Sequence, residues 1–136
     1  MSAVHHQSER SLLAAFMIAL EGLKVGLDKE NIDVSSLHQH FLAVQQLYQQ
    51  QLLPTLIASP SSTSFITYQT EINRTFRLLG IDVTFLQTAK DAMVVQKRQV
   101  KIQQRLQTLL DFSRGLEQQL ENLHPVTDNE EISLSD

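Results

Sequence analysis

The chain has 136 residues, 42% of them apolar, no Cys, no Trp and a formal charge of −4. A single domain of this size buries roughly two-thirds of its surface, and the absence of Cys removes disulfides, thiol nucleophiles and thiolate metal ligands while suiting a reducing, cytoplasmic setting. The excess charge sits in the last twelve residues, PVTDNEEISLSD, with four acids and no base, so the remainder balances eleven acids against eleven bases and net charge alone does not call for nucleic acid.

Residues 8–27 carry Leu12, Leu13, Phe16, Leu20, Leu23 and Leu27 at spacings of three and four, one stripe on a helix. Its longest apolar run, LLAAFMIAL, has nine residues, whereas crossing a bilayer takes about 20. It is therefore expected to be a core helix and not a signal or anchor. A row of small residues, Ala15, Ala19, Gly22 and Gly26, runs beside the stripe. Each Gly costs about 1 kcal/mol relative to Ala, which close approach of a neighbouring helix would offset; a frayed end near Gly26 accounts for it equally well.

The segment DKENIDVSS, residues 28–36, supplies turn chemistry, with Ser35 or Ser36 expected to cap a second helix. That helix places Leu37, Phe41, Val44, Tyr48 and Leu52 on one face, and Pro54 should stop it or begin a new turn. Glutamine is abundant, with sixteen in the chain and a QQLYQQQ run at 45–51 that reads as solvated helix surface. PTLIASPSSTS then reads as a loop. Ser62 or Thr63 is expected to cap a third helix over about residues 63–90.

On the third helix Phe65, Tyr68, Ile72, Phe76, Leu79, Val83 and Leu86 fall within an arc of roughly 80°, a core-facing stripe. Leu78, Ile81 and Phe85 lie within about 60° on the opposite side, flanked by Arg74 and Arg77, where a small monomer should be polar. Asp91 can cap a fourth helix to about residue 123, whose heptad of Val95, Ile102, Leu109, Leu116 and Leu123 is filled in by Leu106 and Leu120. His124 and Pro125 end it. No segment alternates with the period of a strand. The pattern predicts an all-α, antiparallel four-helix bundle over residues 7–124, followed by a short disordered acidic tail at 125–136.

Catalytic and metal motifs are not found in the sequence. His38 and His40 diverge by about 200° on a helix and cannot share a metal, while His5 and His6 lie at the terminus. Glu71 and Asp82 read as solvated flank charges. Neither an enzyme nor a cofactor is expected. Charge placement says more: Arg74, Arg77, Lys90, Lys97, Arg98, Lys101 and Arg105 face only Asp82 and Asp91 over residues 74–105, a local balance of +5. Lys97, Lys101 and Arg105 follow at four-residue spacing as a ridge. The ridge suits an acidic protein segment or the chain's own tail, and a solvated bundle face equally well. It lacks interleaved aromatics for nucleic-acid stacking.

The block from Tyr68, Gln69, Glu71, Ile72 and Asn73 through Arg77, Leu78, Leu79, Gly80, Asp82, Val83, Phe85, Leu86 and Gln87 to Ala89 resembles the cyanobacterial heterocyst frequency control protein family, PatD. A weaker likeness covers HFLAVQQLYQQQLL and RLQTLL, so the resemblance spans about residues 10–112. It implies a small cytoplasmic regulator that limits heterocyst differentiation in filamentous cyanobacteria by binding the cell-division GTPase FtsZ and affecting its polymerisation. It brings no catalytic residues and no assigned contact residues. From the residues themselves, Arg74, Arg77, Lys97, Lys101 and Arg105 are the candidate partner-binding set. Leu78, Ile81 and Phe85 are either the seam of a homodimer or a face covered by the first or second helix. A DNA-associated protein, or a general helical adaptor, is the alternative from another class.

Overall fold

The computed structural model describes residues 2–28 and 32–123, with side-chain surroundings from residue 9 onward. Helix α1 spans Ser2–Leu27 and α2 spans Val34–Leu47. The chain then passes through a π turn, Tyr48–Leu52, into the short α3, Leu53–Ala58, and a 3-10 turn at Ser62–Phe65 leads into α4, Ile66–Thr88. The last helix, α5, spans Ala92–Leu123, and the described residues contain no strand. This is the expected all-α bundle. The predicted tail at 125–136 lies outside the described residues, as do the side chains of His5 and His6, although α1 itself runs back through them to Ser2.

Four long helices pack in a ring, α1 against α2 and α5, and α4 against α2 and α5. Side-chain bridges show neighbours running antiparallel. Gln99 of α5 donates to the Leu27 carbonyl at 2.6 Å while Arg114, further along α5, reaches back to Glu21 at 3.7 Å. The predicted stripes meet inside this ring. Phe16, Leu20, Leu37, Phe41, Val44, Tyr48, Ile72, Phe76, Leu79, Ile102, Leu109 and Leu116 are all buried, with Val95 and Leu123 half-buried at the ends of the heptad. Phe76 is the hub of an aromatic cluster, with ring centroids 5.9 Å from Phe16, 5.4 Å from Phe41 and 5.7 Å from Tyr48. Those separations lie in the range where aromatic pairs add to simple area burial.

The small-residue row on α1 has a mixed outcome. A Cβ at Gly22 would come within 2.9 Å of the His40 ring on α2, so there the absent side chain lets α2 approach; at Gly26 nothing lies within 4 Å. A tighter contact occurs at Gly115, where a Cβ would meet the Tyr68 ring at 2.7 Å and α4 crosses close to α5.

Several expectations about the joints are corrected. The cap of α2 is Asp33, extended at φ −83° and ψ 98°, whose carboxylate accepts from the Ser36 N–H at 3.2 Å; Ser35 and Ser36 lie in the first turn. A carboxylate there both accepts a free N–H and meets the positive end of the helix dipole. Neither Ser62 nor Thr63 caps α4, because 3-10 bonding tightens the entry instead, with Ser64 N–H on the Ser61 carbonyl at 2.9 Å, and Phe65, fully buried, takes the cap position. The segment read as a loop, PTLIASPSSTS, is half helix. Leu56 is fully buried and drags α3 onto the core, overriding local composition. Pro54 does begin a new turn, in the first positions of α3. Because proline has no N–H and crowds the carbonyl four residues back, the preceding turn widens, and the Leu53 N–H bonds the Tyr48 carbonyl five residues away. Asp91 caps α5 as predicted, its side chain accepting from the Met93 N–H at 2.8 Å.

Candidate docking surface

Among the described residues an open groove of about 1200 Å³ lies between α2 and α4. Its floor is the aromatic cluster, Phe41, Tyr48 and Phe76; its walls carry Leu42 and Leu53 on one side and Ile81 and Phe85 on the other. The polar rim is Gln45 and Gln49 facing Asn73, Arg74, Arg77 and Thr84. The glutamine run at 45–51 thus does face outward, partly into this groove. Tyr48 donates to the Asn73 side-chain oxygen at 2.6 Å, tying the two walls together at the base. Burial of the ring disfavours the phenolate and pushes its pKa well up from the ordinary 10.0.

Basic residues that look alike in the sequence part company here. Lys97 and Lys101 are exposed, but Arg105, the third member of the ridge, turns inward and donates to Asp82 Oδ2 at 3.0 Å. Arg98 donates to Oδ1 of the same carboxylate at 3.2 Å. Asp82 is therefore no solvated flank charge: it is 3% exposed, because the edge of the α4 stripe on which it sits is covered by α5 and its two arginines. Arg98 also lies over the Phe85 ring, with its guanidinium carbon 4.5 Å from the centroid, a cation–π contact that fixes the ring. On α4, Arg74 makes a long, exposed pair with Glu71 at 3.8 Å, and Arg77 has no ion pair among the described residues.

The apolar trio also divides. Ile81 and Phe85, 46% and 49% exposed, line the α2/α4 groove. Leu78 is half-buried and lines a smaller cleft of about 330 Å³ between α4 and α5, beside Phe112, Arg74, Lys101 and Arg105. A shared 60° arc on a helical wheel did not translate into one patch, because α5 crowds one edge of it while α2 stands off the other. His38 lines the groove and His40 packs against Gly22, so the two histidines serve different neighbours. Among the described residues no group of three or more His, Cys, Asp or Glu could hold a metal ion, and no helix is long and apolar enough to cross a membrane.

Sequence reasoning missed the α2 wall. Leu42 is the residue that could have disclosed it: it is apolar, it lies off the core stripe, and it is 41% exposed. Comparison with protein-family models, with curated proteins and with solved structures gives no match.

Proposed function

We propose that the chain is a non-enzymatic, cytoplasmic regulator of heterocyst frequency that acts by binding FtsZ and altering its polymerisation. The observation carrying this reading is where the resemblance to the PatD family falls. With the exception of His38, every residue lining the α2/α4 groove belongs either to HFLAVQQLYQQQLL or to the block from Tyr68 to Ala89. The stretches that carry the likeness, with Asn73, Arg77, Gly80 and Phe85 among its named residues, therefore line an open groove with an apolar floor and a polar, basic rim, the anatomy of a protein-docking site.

A general helical adaptor using the same surface for another protein is the competing reading. Sedimentation of FtsZ polymers with GTP, with and without this chain, separates them. Co-pelleting or a changed polymer yield supports the FtsZ role. A folded sample that neither pellets nor changes the yield refutes it and leaves the adaptor.

A further inference from the structure

The α2/α4 groove has a shape and a charge that say more about its occupant than the proposed function does. From His38 to Leu53 on one wall and from Thr70 to Phe85 on the other, it runs about 22 Å, or roughly four helical turns. At about 1200 Å³ and open along its length, it exceeds the roughly 300–1000 Å³ of pockets that enclose small molecules. Leu42, Ile81 and Phe85 are each about half exposed along it, so the occupant must bring apolar side chains of its own at helical spacing.

Charge narrows the choice. Arg74 and Arg77 stand on the α4 wall and no Asp or Glu lines the groove. Glu71 lies outside it, and its 3.8 Å contact with Arg74 is exposed on both sides, a pair that a better-placed carboxylate would displace. A second copy of this chain is a poor occupant, because twofold pairing of the groove would bring four arginines together with no carboxylate inside the groove, Glu71 lying outside it in each copy. Phe85 is already held by Arg98, which Asp82 anchors in turn, so an apolar anchor is in place before any partner arrives.

We propose that the groove between α2 and α4 binds one amphipathic, acidic helix of a partner protein, about four turns long, with its apolar face on Ile81 and Phe85 and its carboxylates on Arg74 and Arg77. The proposal rests on the reading of this chain as a protein-binding regulator, though not on FtsZ being the partner.

The test uses the full chain and two synthetic helical peptides of about sixteen residues that share a leucine face and differ only in Glu or Lys flanks. Amide NMR and fluorescence anisotropy, with no FtsZ present, are the readouts. The expected result is saturable binding of the Glu peptide with shifts at Leu42, Asn73, Arg77, Ile81 and Phe85, and binding of the Lys peptide weaker by roughly tenfold or more. The doubly reversed variant, Arg74→Glu with Arg77→Glu, lies on the exposed rim and should invert that preference while its circular dichroism stays unchanged. Equal affinity for both peptides, shifts confined to the exposed face of α5, or a dimeric sedimentation mass that Ile81→Glu reduces to monomer would overturn the proposal. Because FtsZ is absent, failure here and failure of the polymer assay are distinguishable.

Discussion

Replacing Asp82 by Asn changes one charge and almost no volume at the joint between α4 and α5. Asp82 accepts from Arg98 at 3.2 Å and from Arg105 at 3.0 Å, and its side chain is 5% exposed. A hydrogen bond to a charged group contributes about 1.5–3 kcal/mol, and removing one partner from a fully buried ion pair costs about 3–5 kcal/mol. The two arginine side chains are 36% and 26% exposed. Water therefore reaches the guanidinium groups left behind, and the expected loss falls to about 2–3 kcal/mol. For a domain of this length that corresponds to a fall in Tm of about 6–12 °C. Urea denaturation followed by far-ultraviolet circular dichroism measures it directly, with an unchanged m-value showing that the folded state has kept its compactness. A variant within about 0.5 kcal/mol of the parent would refute the view that this triad locks α4 onto α5.

Five further substitutions have expected outcomes. Tyr48→Phe should cost about 1 kcal/mol at neutral pH by deleting the bond to Asn73. It should also flatten the alkaline limb of the stability curve: burial raises the folded phenol's pKa above its ordinary 10.0, so the stability tied to neutral Tyr48 is intact below that pH and is lost as pH climbs past it. Gly26→Ala, with nothing within 4 Å of the new methyl, should stabilise by about 0.4–1 kcal/mol. Gly115→Ala, facing the Tyr68 ring at 2.7 Å, should instead lower stability by about 1 kcal/mol once overpacking outweighs helix propensity; thermal melts of the pair decide both signs. Leu56→Ala should cost about 2–5 kcal/mol while Ile57→Ala, at a site 58% exposed, is nearly neutral in the same assay, as befits an anchored helix and not a surface loop.

The bundle was legible wherever one residue's burial follows from its neighbours' spacing. Ile102, Leu109 and Leu116 recur every seventh position and all enter the core; Phe65 at the cap of α4, and Ile72, Phe76, Leu79, Val83 and Leu86 along it, are buried at the same kind of spacing. Local pattern fails where a partner from elsewhere in the chain decides. PTLIASPSSTS has the composition of a loop, and only the cavity that Leu56 fills turns part of it into α3. Asp82 has the composition of a surface site, but it lies three residues after Leu79 and four before Leu86, at the edge of the buried stripe, and Arg98 and Arg105 are themselves spaced by one heptad. Both arginines therefore face the same way, a signal that was present and went unread. The groove itself was not legible, since it depends on how far α2 stands from α4, a distance set by large side chains such as Phe41 and Phe76 meeting between them.

With no Trp and only two Tyr in the chain, fluorescence excited at wavelengths longer than the phenylalanine band comes from Tyr48 and Tyr68 alone. Tyr48 is stacked on Phe76, held by Asn73 and set in the floor of the groove, while Tyr68 leans on Gly115 at the α4/α5 contact. Replacing Tyr68 by Phe would leave one native emitter at the docking surface. Its intensity would then report occupancy of the groove in the unlabelled protein.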